Sequence, residues 1–381
     1  MEPLQKMLRS LQITKRSSME NESVYVLDID VAKSVEGKSM EEVAILCSNN
    51  KIKLYNHETM TLLQEYGEPP GVCGGVRFAH THRNLLFSTS ADGSVKSWDT
   101  RTPGHSYVQK FTGYPSNVFI SFDISCNDLV VCAGTELVGE DALLVFWDVR
   151  STGRSTSKDP LGVYSESHSD DVTQVRFHPT NPSMVASGSS DGLVNIFNVN
   201  ENDEADALSA TCNSDSTVSF LGWAGENHSQ VFCLTHNEGF CWWDTTHVDT
   251  EETIVLTKIQ DMRKHVSGCT IDYLIGGVYH NNGNGLCLAG GSHGGNVILL
   301  RCEPDKVQHL KTLLGGHSAT VRSFYWDLDD VCFLTGGEDA QLLSWRPHSK
   351  VKTKSEPAKM PSALQQRVRV HKTKHYSPKK L

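Results

Sequence analysis

The sequence predicts an all-β fold, a seven-bladed β-propeller with a basic, disordered C-terminal tail, and three observations carry the prediction. The first is local. In residues 168 to 200, HSDDVTQVRFHPTNPSMVASGSSDGLVNIFNVN, the runs Val172-Val175-Phe177, Met184-Val185-Ala186 and Leu193 to Val199 read as three short strands with a two-residue period. Asp191-Gly192 between the last two runs is a hairpin signal, read as a two-residue turn with positive φ at both positions. The second observation is repetition, which a lone hairpin needs because it is marginal in water. The unit recurs as SNNKIKLYN at 48 to 56, SADGSVKSWDTR at 90 to 101, DALLVFWDVR at 141 to 150, HNEGFCWWD at 236 to 244, SHGGNVILLRC at 292 to 302 and GEDAQLLSWRP at 337 to 347. The third is spacing. One slot of the repeat holds Tyr55, Trp98, Trp147, Phe197, Trp243, Leu300 and Trp345, at intervals of 43, 49, 50, 46, 57 and 45 residues.

Four strands in roughly 40–45 residues, closing on Trp-Asp, is the signature of the WD-repeat family. From about residue 12 to 347 the chain is similar to WD-repeat proteins. The resemblance implies a propeller and a role in protein complexes. A ring also accounts for the length of 381 residues: a single core stops growing near roughly 250–300 residues, whereas a ring buries each small sheet against the next.

Taken in order, residues 1–22 form an N-terminal segment; the resemblance implies that an N-terminal strand closes the ring beside the last blade, and Leu11 to Thr14 is the candidate. Closure matters because it removes two edges that would otherwise pair with other chains. Blades are expected over 23–66, 75–113, 117–166, 171–213, 217–261, 273–315 and 320–347, and the tail over 348–381. Insertions fall at Asp30 to Glu41, Glu136 to Asp141, Asn200 to Ala205 and around Asp261 to Thr270. Loops of this kind commonly carry specificity.

Composition narrows the function classes. The longest purely apolar run, Leu143 to Trp147 with Ala142 before it, is six residues, far short of a membrane span, and MEPLQKMLRS lacks the apolar stretch of a secretory signal. The eleven cysteines are odd in number, scattered and never in C-x-x-C spacing. Cys132, Cys233, Cys241, Cys287 and Cys332 lie in apolar strands as small hydrophobes. An intracellular monomer in the cytoplasm, the nucleus or both is expected, with no metal site and no cofactor.

Two constellations imitate catalysis: His168, Ser187 and Asp191, and His317, Thr335 and Asp339. A reacting serine also needs an oxyanion site and a cleft, neither visible in the sequence. The resemblance instead implies that these residues join the Trp of the repeat, here Trp345, in a buried hydrogen-bonded network. Only the last blade has all four members. Blade 4 has Phe197 in the Trp slot, blade 2 has Pro69 in place of the His, and blade 3 has Tyr114. Gly290 to Gly295 lacks the Lys-Ser/Thr of a phosphate loop and reads as a hairpin turn. No catalytic residue is expected.

Leu86 to Arg101 resembles the box by which WD-repeat substrate receptors dock onto the adaptor of cullin-4 ubiquitin ligases, departing at Ser97, where an apolar residue is usual. The next repeat ends in Trp147-Asp148-Val149-Arg150. Trp98, Asp99, Arg101, Trp147, Asp148 and Arg150 are therefore the candidate partner-binding residues. A guanidinium is permanently charged and offers a rigid fork of donors to carboxylates or carbonyls.

Charge is divided. Residues 347 to 381 carry ten Lys or Arg and one acid, Glu356, a net of +9; the rest of the chain carries 25 basic and 44 acidic groups, a net of −19. The tail reads as a nuclear or nucleolar address, with Ser377-Pro378-Lys379-Lys380 as a proline-directed phosphorylation site at Ser377. An acidic body argues against nucleic acid except through the tail. It favours basic clients such as a ribosomal protein or a histone.

Overall fold

The computed structural model describes residues 8, 10–32, 42–67, 72–102, 106–112, 118–150, 159–246, 253–280, 285–327 and 332–347. The tail with Ser377, the slots of Pro69 and Tyr114, and most of the first insertion lie outside the described residues.

Strand β1 is Leu11–Ser18. Blade 1 follows as β2 (Val26–Val31), β3 (Glu42–Cys47), β4 (Ile52–Asn56) and β5 (Leu62–Tyr66), and blade 2 as β6 (Val72–Phe78), β7 (Leu85–Ser90), β8 (Ser94–Asp99) and β9 (Gln109–Phe111). Blade 3 is β10 (Phe119–Ile124), β11 (Val130–Thr135), β12 (Leu144–Asp148) and β13 (Gly162–Tyr164). Blade 4 is β14 (Gln174–Phe177), β15 (Met184–Gly188), β16 (Leu193–Asn198) and β17 (Leu208–Asn213). Blade 5 is β18 (Val218–Ala224), β19 (Gln230–Thr235), β20 (Phe240–Asp244) and β21 (Ile254–Ile259). Blade 6 is β22 (Tyr273–His280), β23 (Gly285–Gly291), β24 (Val297–Glu303) and β25 (Lys306–Leu313). Blade 7 draws β26 (Val321–Asp327), β27 (Cys332–Gly337) and β28 (Gln341–Pro347) from the end of the propeller and its fourth strand, β1, from the beginning. Two short helices, α1 (Glu204–Ala207) and α2 (Met262–His265), fall at the expected insertions, α1 within blade 4 just before β17 and α2 after blade 5.

Every blade is a four-stranded antiparallel sheet, the first six in chain order, and the innermost strands meet in sequence around a circle that closes from β26 to β2. The seventh sheet is completed by β1 on β28, from Leu11 opposite Pro347 to Ser18 opposite Gln341. The strand runs four residues beyond the expected Leu11 to Thr14. A bulge after Ile13 lets it follow the twist of β28.

The seven core clusters sit one at each junction between neighbouring blades, which is how a ring of thin sheets buries enough apolar area. The repeat slot explains the arrangement. Trp98 packs at the junction of blades 1 and 2, Trp147 at 2 and 3, Phe197 at 3 and 4, and Trp243 at 4 and 5. Leu300, Trp345 and Tyr55 complete the circuit at the last three junctions. Each slot residue thus faces the preceding blade. The buried cysteines belong to the same cores, where burial pushes the thiols of Cys47 and Cys287 up to about 12. A thiol-reactive disulfide reagent applied to the native protein is expected to label the half-buried Cys126 and Cys269 before any of the other described cysteines, read by mass mapping.

The hairpin turns depart from the expected type. Gly192 has φ +85°, but Asp191 stays on the negative side, and the Gly192 N–H donates to Ser189 O while the Ser189 N–H donates to Leu193 O. This is a longer turn ending in a single left-handed residue. The left-handed place is filled by Asn50, Gly93, Gly192, Glu238, Gly295 and Ala340 in six of the blades. With Asp191 on the negative-φ side, its carboxylate accepts from Leu193 N at 2.8 Å and reaches His168.

Candidate partner-docking site

The hydrogen-bonded networks hold the blades that carry the candidate surface. In blade 7, His317 Nδ1 lies 2.9 Å from Asp339 Oδ1 and Nε2 lies 2.8 Å from Thr335 Oγ1, which also accepts from Trp345 Nε1 at 2.9 Å. In blade 4, His168 stands 3.0 Å from Asp191 Oδ2 and 2.7 Å from Ser187 Oγ. That geometry matches a serine, a base and an orienting acid, but Ser187 has no exposed surface and His168 is buried with it. No substrate reaches the hydroxyl. Burial by itself would raise the Asp191 and Asp339 carboxyls; the hydrogen bonds from His168 and His317, with two backbone N–H groups each, outweigh it and hold both below the ordinary carboxylate value.

Blade 2, whose His slot is filled by Pro69, solves the same problem differently. Asp92, the counterpart of Asp191, takes ion pairs from Lys110 at 2.9 Å and Lys96 at 3.3 Å, and Trp98 Nε1 donates to Ser88 Oγ at 2.9 Å. Lys96 is buried beside the Tyr107 ring, and Lys53 is buried against Glu65 in blade 1. Sequence reasoning missed both lysines. The only trace is a charged residue at an inward strand position, in IKLYN and SVKSW.

The candidate docking residues divide. Trp98 and Trp147 are buried in the junctions behind the rim, so they cannot touch a partner, which corrects the expectation. Trp147 Nε1 is spent on Thr112 O at 3.1 Å. They face inward because one side of the third strand must pack on the preceding blade. Asp99 and Asp148 end those strands, half-buried, and Arg101 and Arg150 follow in the turns with side chains 70% and 67% exposed. Each Arg folds back on the Asp two residues before it. Arg101 Nε and Nη2 donate to Asp99 Oδ1 and Oδ2 at 2.9 and 2.6 Å, and Arg150 does the same to Asp148 at 3.1 and 3.0 Å. The Arg101 guanidinium holds the Asp99 carboxyl below its usual value. The fork fixes each guanidinium plane while leaving it in solvent.

The turns are also tied to the preceding blade. Gln64 of β5 donates to Thr102 O at 2.5 Å, and Gln109 of β9 donates to Val149 O at 3.2 Å. Exposed apolar side chains neighbour those two glutamines in the chain: Leu62 and Leu63 before Gln64, and Val108, 56% exposed, before Gln109. Leu161 at the blade 3 edge is 62% exposed. A cleft of about 360 Å3 lined by His82, Arg83, Asp99 and Arg101 opens beside the first fork. A third fork, Arg263 on Asp261 at 2.8 and 3.1 Å, lies in the insertion after blade 5, where Asp261 also caps α2. Its Asp-x-Arg spacing was present in the sequence and was read only as loop. Among the described residues no group of His, Cys, Asp or Glu could hold a metal ion, and no helix is long and apolar enough to cross a membrane.

The WD40 family model, described as "WD domain, G-beta repeat", matches residues 66–99, 158–198 and 308–346. The chain carries WD40 repeats. The matched stretches end in blades 2, 4 and 7, where Asp92, Asp191 and Asp339 hold the turn. Among curated proteins the chain is 26% identical over 331 residues to a "WD repeat-containing protein 89 homolog" of Dictyostelium discoideum, covering 86% of this chain and 84% of that one. It is 28% identical over 323 residues to "WD repeat-containing protein GTS1" of Arabidopsis thaliana, covering 80% and 78%. An uncharacterized WD repeat-containing protein of Saccharomyces cerevisiae is 32% identical over 224 residues, 59% of this chain and 48% of its own. WD40 propellers as a class mediate protein–protein interactions.

Proposed function

We propose that the chain is a non-enzymatic scaffold that docks proteins on the rim of blades 2 and 3, and that the adaptor of cullin-4 ubiquitin ligases is the partner this rim suits. The observation that carries the reading is the pair of forked Asp–Arg turns on adjacent blades, each tied to a glutamine that exposed apolar residues precede in the chain. A permanently charged, pre-oriented guanidinium loses little freedom on binding, and Leu62, Leu63, Val108 and Leu161 supply area to bury. The rim is mixed rather than purely charged, as interface centres are. The non-enzymatic half of the reading rests on the burial of Ser187 and Thr335.

The test is quantitative affinity purification of the full chain from cells. Arg101→Glu/Arg150→Glu is expected to lose the adaptor and cullin by tenfold or more, about the effect of reversing a charge at the centre of a contact. Arg263→Glu breaks the same fork elsewhere and is expected to keep them. If the rim variant and the wild type capture the same proteins, this docking site is wrong. A second reading, an escort for basic clients, rests on the −19 charge outside the tail. It is favoured instead if the captured proteins are basic, indifferent to the rim variant and released by moderate salt.

A further inference from the structure

The ring encloses a central cavity of about 280 Å3 to which all seven blades contribute. Its lining follows from a repeated irregularity: six of the seven innermost strands carry a bulge near their start, and the extra residues Leu27, Ile120, Ser219, Ile275 and Arg322 are turned to the axis. In β6 the bulge contains Gly75, at φ +133°, where a Cβ would stand 2.8 Å from Asp28 Oδ2. Glycine there lets Asp28 reach across from blade 1.

The cations of this cavity are unequally matched. Arg77 is ion-paired to Asp28 at 2.6 Å, and Arg322 is held by Glu338. Arg176 is not. Its Nη1 donates to Val175 O at 2.8 Å, its guanidinium lies 5.9 Å from the Phe220 ring centre, and among the described residues no carboxylate is within 4.0 Å. Of the other acids near it, Asp30 accepts from Phe78 N at 2.6 Å and Asp123 from Phe177 N at 2.7 Å. Burial first, then repulsion from Arg77, lower the Arg176 pKa to about 10 in spite of Asp123, Asp28 and Asp30. Beside it, Gln174 gives its Nε2 to Ser219 O at 3.1 Å and keeps a buried Oε1 with no donor.

We propose that the central cavity binds a small phosphate-type oxyanion between Arg176 and Arg77. Such an anion relieves the mutual repulsion of the two guanidinia and supplies the directly contacting counter-ion that Arg176 lacks, where Asp28, Asp30 and Asp123 act only from a distance. Its P–O–H group offers the donor that Gln174 Oε1 lacks. The cavity admits an ion or the head of a small monoester, and Ser121, Thr173 and Ser323, already donating to neighbouring blades, present their oxygens rather than further charge.

The experiment uses the full chain with inorganic phosphate as the probe, at constant ionic strength set with sodium chloride, by calorimetry and thermal melting. Saturable one-site binding with a rise in Tm is expected, sulfate being weaker because it carries no proton at neutral pH. Arg176→Gln is expected to weaken phosphate binding by about tenfold or more while melting no lower than wild type without phosphate, since a half-buried charge with no carboxylate in contact is removed. Arg263→Ala, in the insertion after blade 5, keeps the wild-type response. Tighter binding of glycerol 3-phosphate than of free phosphate identifies a monoester as the ligand, and the reverse identifies the ion. The absence of a saturable response in the wild-type chain, or a response that Arg176→Gln leaves in place, overturns the proposal.

Discussion

Deletion of residues 1–19 is expected to cost the chain its folded ring. Strand β1 supplies the outer strand of blade 7, and its removal leaves β28 as an open edge beside a core that has lost Leu8 and Leu11. The loss is spread over several contacts. Thr14 Oγ1 donates to Ser344 O at 3.1 Å, Lys311 Nζ to Leu11 O at 2.8 Å, and the Met19 N–H just beyond the strand to Ala340 O at 2.8 Å. The last of these holds Ala340 at φ +59°, a left-handed backbone an alanine does not choose alone. Two large core side chains at about 2–5 kcal/mol each, with a strand's hydrogen bonds, approach the roughly 5–15 kcal/mol by which whole domains are stable. Size-exclusion chromatography and circular dichroism melting should show aggregation or a much earlier transition. A synthetic peptide of residues 8–20 added in trans should restore part of the lost Tm. A truncated protein that melts with the wild type would show that three strands suffice for blade 7.

The second large effect is expected at His317. Replacement by alanine strands the Asp339 carboxylate, which is almost wholly buried, and takes from Thr335 the partner that orients it toward Trp345. Breaking such a network costs about 3 kcal/mol or more. His168→Ala should cost less, by about 1 kcal/mol, because Phe197 leaves no indole N–H coupled to Ser187. Urea unfolding midpoints measure both. The acid limb follows from the depressed Asp339 and Asp191 carboxyls. Each contributes stability that is fully present above the unfolded value near 3.8 and is lost as pH falls through the lower folded value. Asp339→Asn should therefore be less stable than wild type at pH 6, with the gap closing below about pH 4. A gap independent of pH would mean that the carboxylate charge contributes nothing to the network.

Much of this was legible in the sequence for a simple reason. The Trp-slot intervals and the alternating runs report contacts that every blade makes in the same way, so the pattern that marks the strands also marks the packing. The exceptions are residues whose role depends on a neighbour distant in the chain. Lys53 and Lys96 look like solvated charges until Glu65 and Asp92 come beside them. Trp98 and Trp147 belong to a motif associated with docking, yet the packing of one blade on the next takes them off the surface. Asp191-Gly192 signalled a hairpin correctly but not its type, because the Asp carboxylate is recruited by His168, 23 residues away.

By itself the sequence determined the all-β class, the seven-fold repeat, the strand that closes it and the Asp–Arg pairs at the ends of two strands. The class, the repeat and the pairs rest on local propensity and on a period repeated seven times; the closing strand was implied by the resemblance to WD-repeat proteins. The tertiary structure alone decided which aromatics face the preceding blade, that the Arg101 and Arg150 turns are tied to the outer strand of the blade before, and that Arg77 and Arg176 share one cavity. Closure of the ring brings those groups together across tens of residues, and the energies that follow depend on distance and burial, which no linear pattern encodes.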